Sequence, residues 1–158
     1  MNEGFFALAA RNGRIFVAGT TGSHPNNDFA VACYQPDDTR LWMKSHATPG
    51  ISLLSAMAVD ADGNVCVTGT EEHATQGSND DFLTVKYSST GSKLWVDQYD
   101  GPAHRRDGAA DVATDASGNV YVLGTSVAVA SSGEFGPNVG SPAPGTDEST
   151  TIKYGPSG

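Results

Sequence analysis

The chain has 158 residues, enough for one ordinary domain with a sizeable core. Its net charge of −9 argues against a nucleic-acid partner, which calls for clustered Lys and Arg. No apolar run is long enough to cross a membrane, and Phe5–Ala10, the longest early one, lacks the basic leader of a signal peptide.

In chain order, the first recognisable segments are Phe5–Ala10 and Ile15–Gly19, expected as strands joined by a tight turn at Arg11-Asn-Gly-Arg14. Phe29–Tyr34 and Arg40–Lys44 follow as a third and fourth strand. The same plan then repeats. Leu54–Asp60 leads through the turn Asp60-Ala-Asp-Gly-Asn64 into Val65–Gly69, then Phe82–Tyr87, then Lys93–Tyr99. A third copy has Ala109–Thr114, Val120–Gly124 and Thr150–Tyr154, with no further Leu-Trp strand.

Two phrases mark each copy. One is Gly13–Thr20, Gly63–Thr70 and Gly118–Thr125; the other is Asp28–Tyr34, Asp81–Tyr87 and Glu148–Tyr154. Leu41-Trp42 and Leu94-Trp95 each begin seven residues after a tyrosine, Tyr34 or Tyr87, so the turn before the fourth strand has a constant length. The first strands are rich in alanine (Ala7, Ala9, Ala10; Ala56, Ala58; Ala109, Ala110, Ala113), as expected where blades converge on an axis.

A repeat of about fifty residues built from four short strands indicates an all-β chain of β-propeller blades, each of four antiparallel strands. The blades are expected at about 5–45, 54–100 and 109–154, the last lacking its outer strand and carrying a long loop at 126–147. Propellers usually close with about four to eight blades. The chain is therefore expected to be part of a larger propeller, or a subunit whose ring other copies complete.

Val59–Thr70, Asp81–Tyr87, Leu94-Trp95 and Tyr99-Asp-Gly101 resemble the bacterial propeller repeat called SBBP. The resemblance covers nearly the whole chain and is strongest from Ala56 to Gly124. It weakens at Arg11–Arg14, which replaces the Asp-x-x-Gly-Asn turn, and breaks before Glu148. It implies a secreted or surface protein with no shared catalytic residues. It also implies that Gly63, Asn64, Gly69, Tyr87 and Trp95 are scaffold.

Chemistry is expected in the variable loops joining second to third strands and blade to blade, which lie on one face of a propeller. All four histidines fall there: His24, His46, His73 and His104. Asp100–Asp107 holds the one concentrated basic spot, with His104, Arg105, Arg106 and Asp107 together. Arg offers a bidentate fork for an anion there, and an Arg–Asp pair fixing the blade junction is the structural alternative. Phe135 is the natural anchor of the Gly- and Ser-rich loop 126–147.

No cofactor is expected and no metal motif is present. Asp80 and Asp81, with Asn79, Glu71 and Glu72 nearby, are the weak candidates for a cation. Asp60–Asn64 reads as a hairpin turn, because the sixth-place glycine and distal Glu of a calcium loop are missing. Cys33 and Cys66 occupy strand slots filled elsewhere by unrelated residues, which does not suggest a disulfide.

The expected function is a binding or structural module that recognises a protein or glycan across the loop-rich face, or that self-associates to complete the propeller. The alternative is a lyase or hydrolase with a His or metal site near the propeller axis. That reading needs at least two of His46, His73, His104 and Asp107 in hydrogen-bond reach around one pocket.

Overall fold

A computed structural model describes residues 2–23, 26–73, 79–127 and 147–158. Strands make up 69 % of these, with no helix among them. Among the described residues, no helix is therefore long and apolar enough to cross a membrane.

The eleven strands are β1 (Asn2–Arg11), β2 (Arg14–Ser23), β3 (Asn26–Tyr34), β4 (Arg40–His46), β5 (Ile51–Val59), β6 (Val65–Glu72), β7 (Asp80–Tyr87), β8 (Lys93–Tyr99), β9 (Gly108–Thr114), β10 (Val120–Val127) and β11 (Asp147–Tyr154). They form three antiparallel meanders: β1-β2-β3-β4 (sheet 1), β5-β6-β7-β8 (sheet 2) and β9-β10-β11 (sheet 3). Every segment expected from the sequence is a strand. Most run two or three residues further toward the loop-rich rim, because the backbone ladder continues past the last apolar side chain, as in the pairing of Glu72 with Asp80.

The repeated residues have local physical causes. In sheets 2 and 3 the turn is held by one aspartate. Asp60 Oδ1 accepts from the Asp62 and Asn64 backbone N–H groups, and its Oδ2 accepts from Asn64 Nδ2. Asp115 repeats this with Ser117 and Asn119. Sheet 1 instead pairs Arg11 with Arg14 across a two-residue turn, with Asn12 and Gly13 both at positive φ.

Bulges recur as well. The ladder skips Phe6, Ser55 and Ala110 in the three first strands, and Leu41 and Leu94 in the two fourth strands. Opposite the first-strand bulges stand Gly19, Gly69 and Gly124. A Cβ on any of them would run into the carbonyl oxygen of Gly4, Leu53 or Gly108.

The sheets are laid face against face. β5 lies against β1, β2 and β3, and β9 lies against β5, β6 and β7. Sheet 2 is therefore covered on both sides, and β7 is buried along all but its first residue. Between sheets 1 and 2 the core is apolar, with Phe16, Phe29, Val31 and Cys33 meeting Val65, Val67, Leu83 and Val85. Between sheets 2 and 3, Cys66 and Phe82 meet Val112, Val120 and Val122. The cysteines are free and buried. Burial pushes both thiols up, Cys66 to about 12.

One contact is used twice. Trp42 Nε1–H donates to the Ser89 carbonyl at 3.1 Å, and its ring lies over Gly91. Trp95 Nε1–H donates to the Pro156 carbonyl at 3.3 Å, and its ring lies over Gly158. The outer tryptophan of each four-stranded sheet thus sits on the turn that follows the third strand of the next. Both glycines have positive φ, and Cβ atoms there would press into the indoles.

Candidate functional site

Antiparallel order places the ends of β4, β6, β8 and β10 and the starts of β5, β7, β9 and β11 at one rim of the stack. His46 ends β4, His73 follows β6, Asp80 and Asp81 open β7, and Asp100–Asp107 joins β8 to β9. His24, Phe135 and most of the 126–147 loop lie outside the described residues.

A cavity of about 300 Å³ opens at this rim between the β4–β5 connection and sheet 2. His46, Thr48, Glu71, His73, Val96 and Gln98 are among its lining residues. Glu71 is buried, and its Oε2 accepts from Gln98 Nε2 at 3.0 Å, while its Oε1 has no hydrogen-bond partner. His73 Nε2 donates to Asp81 Oδ2 at 3.1 Å and lies 3.1 Å from Gln98 Nε2. One imidazole nitrogen thus stands between a carboxylate and an amide. Burial, and then the neighbouring Lys93 ammonium, hold the His46 pKa below its ordinary value.

Beside the cavity, at the junction of sheets 2 and 3, is an acidic group. One carboxylate oxygen each from Asp81, Asp100 and Asp107 lies within 4.8 Å of the other two. Asp107 is buried, and its oxygens accept from the backbone N–H of Gly101 at 2.5 Å and of Val127 at 3.2 Å. His104, at positive φ, donates from Nδ1 to Asp100 Oδ2 at 2.6 Å. That hydrogen bond raises the His104 pKa. Burial raises the Asp81 pKa, opposed by the hydrogen bond from His73.

Arg106 Nε–H donates to Asp80 Oδ2 at 3.1 Å, linking the β8–β9 connection to sheet 2. Arg105 is exposed. No hydrogen bond joins any two of His46, His73, His104 and Asp107 among the described residues, although His46 and His73 line one cavity.

Sequence reading missed Gln98 and Ser126. Gln98 sits on an exposed outer strand, where polar residues carry no signal, and Ser126 lies near the end of β10, beyond the strand expected at Val120–Gly124. No family model matches the chain, and no curated protein matches it.

Proposed function

We propose that the chain is three blades of an SBBP-like β-propeller, that a second copy completes the ring, and that the loop-rich rim binds a glycan. The observation that carries the binding reading is the rim cavity. Its volume falls at the small end of the range for ligand sites, about 300–1,000 Å³. Glu71, His73, Gln98 and Thr48 present carboxylate, imidazole, amide and hydroxyl groups, the set that hydrogen-bonds sugar hydroxyls, with Leu83 and Val96 as apolar wall.

Three features support the blade reading. The first strands of neighbouring sheets lie together, β1 by β5 and β5 by β9, as blades around an axis require. The tryptophan-on-turn contact repeats from one sheet to the next. Sheet 1 turns Phe6 and Leu8 outward, more than 70 % exposed each, and sheet 3 exposes Leu123.

Two copies give six blades, within the usual range. On sheet 1, Asp38, also at positive φ, stands where Gly91 of sheet 2 and Gly158 of sheet 3 each receive an indole, and the two tryptophans of the chain are both placed on those other turns. The lyase or hydrolase alternative has less support, because none of its four candidate groups hydrogen-bonds another.

Titrating a panel of neutral and acidic oligosaccharides into the chain by calorimetry tests the binding reading. His73→Ala and Gln98→Ala are each expected to weaken binding at least tenfold while leaving the circular dichroism spectrum unchanged. Absence of any sugar binding, or binding that both variants retain, overturns it.

A further inference from the structure

We infer that Asp81, Asp100, Asp107 and Ser126 form a site for a hard divalent cation of the calcium class, which ties sheet 2 to sheet 3. The inference does not depend on the glycan reading, although His73 of the cavity also faces Asp81. Asp81 comes from β7 in sheet 2, Asp100 and Asp107 from the β8–β9 connection, and Ser126 from β10 in sheet 3.

Calcium takes oxygen ligands at about 2.3–2.6 Å, so two ligands on opposite sides of one ion stand about 4.6–5.2 Å apart. The three aspartate oxygens fall within that limit, at 4.8 Å or less. Proximity of acids alone would not make a site. What points to a ligand is a second set of oxygens.

Ser126 is 4 % exposed, and its Oγ has no hydrogen-bond partner. It converges with both oxygens of Asp107 on the space beside the Gly101 Cα, where a Cβ would collide with all three. Asp81 Oδ1, on a residue 5 % exposed, is likewise unpartnered. The described residues contain four buried side-chain atoms without a partner, and all are oxygens at this rim: those of Glu71, Asn79, Asp81 and Ser126. Buried polar oxygens without a partner are costly, and a cation at this site would resolve two of the four, Asp81 Oδ1 and Ser126 Oγ.

Three of the cationic groups nearby are already placed, and Arg105 is exposed. His73 faces Asp81 Oδ2, His104 faces Asp100 Oδ2, and Arg106 faces Asp80. Asp81 Oδ1 is left without a partner of its own. An all-oxygen set favours calcium over zinc, which prefers nitrogen and sulfur ligands.

The probes are Ca²⁺ by calorimetry and Tb³⁺ by luminescence sensitised through Tyr99, both on the full chain at neutral pH. Expected results are one site per chain with Kd in or below the range of about 0.1–1 mM typical of extracellular modules, and a Tm that rises with added Ca²⁺. Asp107 also holds two backbone N–H groups, so its variants risk misfolding. Asp100→Asn, at an exposed position, is the cleaner test. It is expected to keep the ion-free Tm, to weaken Ca²⁺ binding at least tenfold and to abolish the Tm rise. Ser126→Ala is expected to weaken binding by a smaller factor. No Ca²⁺ or Tb³⁺ binding at 10 mM (about tenfold above that range), Ca²⁺ binding unchanged in Asp100→Asn, or tight Zn²⁺ binding without Ca²⁺ binding would each overturn the inference.

Discussion

The two junctions between sheets share one geometry and differ in chemistry. Each has an outer tryptophan on the next sheet's turn. Between sheets 1 and 2, however, Val31 and Cys33 occupy the positions that Thr84 and Lys86 hold between sheets 2 and 3. At the second junction Thr84 and Thr68 hydroxyls lie 3.0 Å apart, and the buried Lys86 Nζ sits 3.3 Å from Asp60 Oδ2 and donates to the Gly118 carbonyl at 2.9 Å. Asp60 thus holds its own turn and also anchors a lysine that reaches the turn of the next sheet. The stacking geometry comes from strand length, bulges and the tryptophan contact, and each junction fills the remaining space in its own way.

The largest expected effect comes from breaking the polar junction. Lys86→Ala leaves Asp60 buried without its cation and is expected to destabilise by about 3–5 kcal/mol in urea unfolding. A loss under about 1 kcal/mol would mean that water reaches this junction. Next is the shared contact. Trp42→Ala is expected to cost about 2 kcal/mol, below the range for a fully buried aromatic because Trp42 is only half-buried. Gly91→Ala is expected to cost about 1–2 kcal/mol for an L-residue at positive φ. Combining the two should cost less than their sum, because the clash between the new Cβ and the indole disappears. Strict additivity would show that the indole does not rest on that glycine.

A smaller effect is expected in acid. Hydrogen bonds from Asn119, Tyr121 and Ser117 hold the Asp115 carboxyl at about 2. Its contribution is present above the unfolded value of about 3.9 and is lost as pH falls through the folded one. Asp115→Asn should therefore flatten the stability profile between about pH 4 and 2, whereas an unchanged slope there would contradict that role. The smallest effect should be seen at the thiols. Cys33 and Cys66 are expected to resist alkylation at pH 8 until the chain unfolds, and Cys66 in particular, with its thiol at about 12.

Much of this fold was legible in the sequence because its causes are local. The turn aspartates, the positive-φ glycines and the alternating strands each declare themselves within about ten residues. Lys86 was not legible as a buried group, because an isolated lysine in an alternating strand looks solvent-facing. Its partner Asp60 is a turn residue, and its other acceptor is the carbonyl of Gly118, 32 residues away. The rim was only partly legible for the same reason. His73, Asp81 and Asp107 stood out by residue type, whereas Gln98 and Ser126 matter through what neighbouring sheets bring beside them.

The most direct test of the account is the solution mass of the chain by light scattering on a sizing column. Closure of six blades by two copies predicts a discrete species at twice the 16.3 kDa chain mass. A folded species at the mass of one chain, unchanged on concentration, would contradict it.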